Sequence, residues 1–225
     1  MKHRITTTFL VSTLWLGTLG LGTLGLGIAV NAQVPVAAPP VLKPVVMDEL
    51  AKAGALGDIW LGDQNAPVTV IEYAATTCSH CAHFNETGLP VLKQKYIETG
   101  KVKYTLREFP LNPLDVAGFM LARCSGDKKH YAMVDLLMRN QEKWAFVQKP
   151  ADALSSLVKQ AGFTQETFET CLKDQKIYDA VIDVRDRGEK MGITSTPTFF
   201  INGKKISGAM TPKDLETEIE PLLKK

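Results

Sequence analysis

The chain has 225 residues, 45% hydrophobic and 22% charged. That length builds one core of ordinary size, and that balance excludes an intrinsically disordered chain. Net charge is +2, and of the 26 Lys and Arg residues only Lys2 and Arg4 precede residue 43, so the remainder balances the 24 Asp and Glu. A neutral body carries no electrostatic footprint for nucleic acid.

Lys2 and Arg4 form a positive n-region, followed by an apolar stretch from Phe9 to Val30. Val30-Asn31-Ala32 then supplies a cleavage pattern, so residues 1–32 are expected to be a signal peptide cut after Ala32. The alternative is an uncleaved membrane anchor, since the stretch is long enough to span, although its glycines weaken a helix. Either reading puts the body outside the cytoplasm, in the periplasm, where cysteines can be oxidised. Residues 33–46, with Pro35, Pro39, Pro40 and Pro44, read as an extended Pro-rich linker.

The folded body is expected over 47–225. Met47 to Leu56 has a helical pattern closed by Gly57, and Asp58 to Leu61 suits a short edge strand. Val68 to Tyr73 is nearly continuous in β-branched apolar residues, as in a strand buried on both faces, with Pro67 at its start. A helix follows from Cys78 to about Tyr96, with Cys81, Phe84, Gly88, Val91 and Leu92 on one face and Pro90 expected to kink it. Val102 to Phe109 is the next strand, which completes a strand–helix–strand unit with a parallel pair. From Asn112 to about Met191 the periodicity is only helical. Pro197 to Ile201, the Asn202-Gly203 turn and Lys204 to Ser207 make a hairpin, and Thr211-Pro212 opens a last helix lined by Leu215, Ile219 and Leu222. The fold class is α/β. Two halves, about 58–111 and 192–225, flank an all-helical insertion at about 112–191.

The sharpest chemical signal is Cys78-Ser79-His80-Cys81, directly after a buried strand and opening a helix. Unpaired N–H groups and the macrodipole at a helix N-terminus favour a thiolate on Cys78. Cys81, one turn further in and beside Phe84, is expected to be covered and to react second. A partly positive His80 imidazole would add to the stabilisation of Cys78. A static disulfide or two inert thiols is the plain alternative. Zinc on Cys78, His80, Cys81 and His83 is disfavoured, because four ligands on one tight turn diverge and no second ligand pair follows. No metal is therefore expected. Glu72, an acid in an apolar strand six residues before Cys78, would have a raised pKa if buried and could shuttle a proton for Cys81. At a frayed strand end it would simply face water. Cys124 and Cys171 each lie on an apolar helical stripe. They can pack as free thiols, but in an oxidising compartment a structural disulfide is favoured.

With Gly192 to Phe199 added, including Thr196-Pro197, these motifs resemble the thioredoxin superfamily, and the helical insertion is similar to that of its DsbA-like branch. The resemblance runs from about Ile59 to the C-terminus. It implies a thioredoxin-like fold with Pro197 cis and facing the redox pair, and with Thr196 offering its backbone to an extended substrate. It also implies an acid beneath the site at Glu72, and a second cysteine pair has parallels in that branch. The implied activity is thiol–disulfide exchange through Cys78 and Cys81 that forms disulfides in exported polypeptides, by a monomer that needs no cofactor. A membrane quinone-linked, DsbB-like partner would reoxidise it. Ser79-His80 and Thr196 depart from the strongest oxidants of the branch, so isomerase or reductase activity is the alternative. A chaperone or binding module with purely structural cysteines is the alternative of another class.

Overall fold

The structure, a computed structural model, describes residues 50–224. The expected signal peptide (1–32), the Pro-rich linker (33–46) and the start of the first helical pattern lie outside the described residues. A mixed four-stranded sheet organises the rest: β1 (Val68–Ala74), β2 (Val102–Glu108), β3 (Thr198–Ile201) and β4 (Lys204–Ser207), in the order β2-β1-β3-β4. β1 and β2 are parallel and the other pairs antiparallel. Helix α1 (Ser79–Leu92) connects the parallel pair. Between β2 and β3 lie α2 (Pro113–Cys124), α3 (Asp127–Arg139), the short α4 (Gln141–Trp144), α5 (Pro150–Val158), α6 (Gln165–Leu172) and α7 (Gln175–Lys190). Helix α8 (Pro212–Leu223) ends the fold.

β1 is the centre because both its faces are apolar. Val68, Val70 and Ala74 join the larger core with Phe84, Leu92, Leu215 and Ile219 of α1 and α8. Ile71 and Tyr73 point the other way, into a second core with Leu50, Phe109, Val184, Ile193 and Phe200. Strand alternation therefore places Glu72 on the α1 side, in line with Val70 and Ala74. Two helices of the insertion pack on this frame, α3 on α1 and α7 on β2. Within it, a disulfide joins Cys124 at the end of α2 to Cys171 in α6.

Two local expectations need correction. The helical pattern from Met47 does not reach Leu56, for the chain leaves the helix after Ala51. The Leu50 carbonyl, which a continuing helix would pair with Gly54, instead accepts a hydrogen bond from Arg107 Nη2 at 2.6 Å. Asp58 to Leu61 forms no strand beyond one antiparallel bridge from Leu61 to Tyr104. Side chains hold that segment: Asp58 receives Arg107, and the Ile59 carbonyl receives Tyr131 Oη at 2.6 Å. Pro90 lies inside α1, and just beyond it the ladder loosens into a π turn at Lys93–Ile97. Among the described residues no helix is long and apolar enough to cross a membrane.

Arg107 and Asp58 form a two-pronged pair with contacts of 2.8 and 2.7 Å, and their side chains are only 3% and 6% exposed. Removing one partner strands the other charge out of water, which costs about 3–5 kcal/mol. Asp58→Ala is accordingly expected to lower the urea midpoint by that equivalent with the m-value unchanged, and an effect under about 1 kcal/mol would refute the pair's role.

Candidate active site

The site forms where β1 ends and α1 begins. Cys78 is the N-cap of α1: its Sγ accepts the Cys81 backbone N–H at 3.4 Å. Cys78 is half-buried, Cys81 fully buried, and both are free thiols. The Cys78 pKa is lowered to about 5. The hydrogen bond from the Cys81 thiol contributes most, opposed by partial burial and reinforced by Thr196 and by the backbone N–H groups of Cys81 and His80. The Cys81 thiol is pushed far upward, first by burial and then by its bond to Cys78 and the charge of Glu72. One sulfur is thus a half-buried thiolate at neutral pH and the other a covered thiol.

Thr196 faces this pair across the sheet. Its peptide bond to Pro197 is cis, and the protonated Cys78 thiol donates to the Thr196 carbonyl at 3.4 Å. The Thr196 hydroxyl is buried without a hydrogen-bond partner. His80 is exposed, and its contribution to Cys78 comes through its backbone N–H. His83 also lies on the exposed side of α1.

Glu72 is 2% exposed, at the level of the sheet below α1. Burial raises its pKa to about 8, the Tyr104 hydroxyl bond opposes the rise, and the Cys78 charge adds to it. Tyr104 Oη donates to Glu72 Oε2 at 2.5 Å. Tyr104 sits on β2 opposite Val70, two positions from Leu106, the register partner of Glu72, so the contact is a same-face diagonal. With its pKa raised to about 8, Glu72 is mostly protonated at neutral pH, on the face where α1 buries Cys81.

Tyr104 and three residues of the helical insertion escaped the reading of the sequence. Gln141 Nε2 donates to the carbonyls of Thr76 at 2.7 Å and Cys78 at 3.0 Å. Asp115, fully buried, accepts from Thr76 Oγ1, Thr77 N and Leu111 N at 2.7–3.0 Å. Asn112 caps α2 through its oxygen and donates from Nδ2 to Thr77 Oγ1 at 2.9 Å. Together they pin the Thr76–Cys78 turn from the helical insertion. Asn112-Pro113 was legible as a helix start; its reach to Thr77, like that of Gln141, depends on tertiary proximity.

Two titrations test this electrostatic picture. Ultraviolet absorbance of the reduced protein is expected to report one thiolate forming near pH 5 and no second below about pH 8; a single transition near the free-cysteine value of about 8.5 would contradict it. The Glu72 carboxyl has an ordinary value of 4.5 and a folded value near 8. Between those values the folded state holds a proton that the unfolded state has lost, so this contribution is complete below 4.5 and is lost as pH rises toward 8. In a Cys78→Ser, Cys81→Ser background, which removes the opposing thiolate titration, the stability advantage over the same protein with Glu72→Gln should fall across that window, approaching about 1.4 kcal/mol per pH unit. A flat difference would place Glu72 in water.

Comparison with known proteins places this geometry. A family model described as thioredoxin matches residues 55–221. A Rickettsia bellii protein carrying the name protein-disulfide oxidoreductase is 36% identical over 148 residues, 65% of this chain and 57% of that one, so the chain spans little more than half the length of that relative. The crystal structure of Wolbachia pipientis alpha-DsbA1 superposes with a TM-score of 0.72 at 29% identity, covering 78% of this chain and 96% of the other. Oxidised BdbD of Bacillus subtilis, at 23% identity and a TM-score of 0.67 over 77% and 97% of the two chains, shares the fold. The sheet order, the helical insertion and the family match together show that this chain belongs to the thioredoxin family, in its DsbA-like branch.

Proposed function

We propose that the protein is a thiol–disulfide oxidoreductase that introduces disulfides into exported, cysteine-containing polypeptides. The observation that carries the reading is the placement of Cys78 as the N-cap of α1, its Sγ accepting the Cys81 N–H and facing the Thr196 carbonyl, one turn before a fully buried Cys81; this geometry lowers the Cys78 pKa and raises that of Cys81. A stabilised Cys78 thiolate favours the reduced protein, which makes the Cys78–Cys81 disulfide an oxidant rather than a reductant.

In this reaction a substrate thiolate attacks Cys78 Sγ of the disulfide. The Cys78–Cys81 bond breaks, a substrate–Cys78 bond forms, and the Cys81 sulfur leaves. Because burial makes a Cys81 thiolate costly, the departing sulfur takes a proton, and Glu72 holds one at neutral pH. A second substrate thiolate then attacks the substrate sulfur of the mixed disulfide and Cys78 departs as the thiolate. The substrate has lost two electrons and the protein has gained them. Thr196 and Pro197 offer the backbone edge along which an extended substrate lies. Export through residues 1–32, a periplasmic site of action, a monomeric state and reoxidation by a membrane quinone-linked, DsbB-like protein complete the proposal. Its support is the N-terminal sequence pattern and the resemblance to the DsbA-like branch.

The decisive measurement is the reduction potential of the Cys78–Cys81 couple against glutathione, with oxidation of a reduced, unfolded protein followed in parallel. The expected potential is less negative than about −200 mV. A value near the thioredoxin figure of about −270 mV would assign the couple to reduction. Full activity of a Cys78→Ser, Cys81→Ser variant would instead indicate a binding module.

A further inference from the structure

Where α2, α3 and β2 meet, three buried polar atoms have no hydrogen-bond partner among the described residues, and the exchange chemistry uses none of them. They are Nδ1 and Nε2 of His130 and Oε2 of Glu108. His130, in the first turn of α3, is 0% exposed, and its ring stands edge-on to Tyr131 with centroids 5.3 Å apart. Glu108, the last residue of β2, is as deeply buried and gives its other oxygen to Arg123 Nε of α2. Arg123 also donates from Nη1 to the Gly57 carbonyl at 3.2 Å. Carboxylate and guanidinium balance, so the cluster is neutral while the imidazole is neutral. A proton on His130 leaves one net positive charge out of water.

Burial pushes the His130 pKa down and outweighs the pull of Glu108 on β2 and of Asp127 on α3, while Arg123 on α2 adds to the fall. The Ala122 carbonyl favours the charged form without reaching hydrogen-bond geometry. Turning toward Glu108 Oε2 would not remove the charge, since Arg123 already balances that carboxylate. The ordinary value is 6.5, so a histidine held neutral here contributes its full stability above 6.5 and loses it as pH falls through the lower folded value. A charged imidazole reaches water only if the start of α3 moves. That helix also leads to the redox pair. Its Asp135 accepts Asn85 Nδ2 of α1 at 2.7 Å, and its Leu137 carbonyl accepts Trp144 Nε1 of α4 at 2.9 Å. Gln141, two residues past its end, holds the carbonyls of Thr76 and Cys78.

We infer that His130 is an acid-sensitive latch: neutral, it seats α3 against α2 and β2; protonated, it leaves that seat, α3 loosens, and the Gln141 clamp on the Cys78 turn loosens with it. The opening is local, confined to α3 and α4, while the sheet and α8 keep their packing. The latch belongs to the fold and acts whichever way electrons pass through Cys78. Exported as proposed above, the protein would answer through it to the acidity of its surroundings.

The test is hydrogen exchange on the oxidised full chain, in which Cys78 and Cys81 do not titrate, from about pH 8 to about pH 5, beside a His130→Phe variant. A phenyl ring fills the same seat, keeps the edge contact with Tyr131 and strands no partner, since neither ring nitrogen has one. Below pH 6.5 the protection of the α3 amides and of the Gln141 side-chain amide, corrected for intrinsic rates, is expected to fall by up to about tenfold per pH unit. The variant should lack that fall. These groups should also exchange faster than the β1 amides throughout, as a local opening requires. Equal profiles in the two proteins would overturn the latch. So would α3 protection that tracks β1 in level and slope, which would tie His130 to global stability alone, or a fall in α3 that spares Gln141. Nitrogen chemical shifts of the His130 ring check the premise without any substitution. A neutral ring is expected at pH 6.5, and a half-charged ring there with α3 protection intact would overturn the inference.

Discussion

A sulfur can be kept ionised at the N-terminus of a helix only if the turn before that helix is rigid, because N–H groups aimed at it lose their effect with small displacements. In this protein the turn is Thr76 to Cys78, and it has no sheet ladder of its own. Its backbone groups are satisfied from elsewhere: Gln141 donates to two carbonyls, and Asp115 accepts one backbone N–H and a hydroxyl. Both residues belong to the helical insertion. The insertion is therefore part of the active site in the physical sense, since it fixes the geometry that lowers the Cys78 pKa. Gly118 extends the same logic, for a Cβ there would stand 2.8 Å from Thr76 Oγ1.

Below the turn, two ionisable groups share one electrostatic account. The Cys78 charge helps to raise the Glu72 pKa, and the Glu72 charge helps to raise that of Cys81. The site thus favours one negative charge, on the outermost sulfur, with protons retained on the two deeper groups. Tyr104 limits the asymmetry by donating to Glu72. Without that bond the carboxyl would be a buried acid with a raised value and no fixed orientation.

Much of this was legible in the sequence, and the boundary has a physical cause. Strand β1 announced itself through its run of β-branched residues, α1 through the stripe ending at Leu92, and the last hairpin through Asn202-Gly203, where Asn202 takes a φ of +44°. These are local signals of period and turn chemistry. Cys78, Cys81 and Pro197 were legible for the same reason, as short motifs beside strong elements. The helix read from Met47 to Leu56 failed because Arg107, more than fifty residues away, takes the Leu50 carbonyl. Gln141 was invisible because a glutamine opening a four-residue helix carries no periodic signal, and its partners lie 65 and 63 positions away. Tyr104 would have been found by anyone who knew the β1–β2 register, since alternation alone puts it on the face of Glu72.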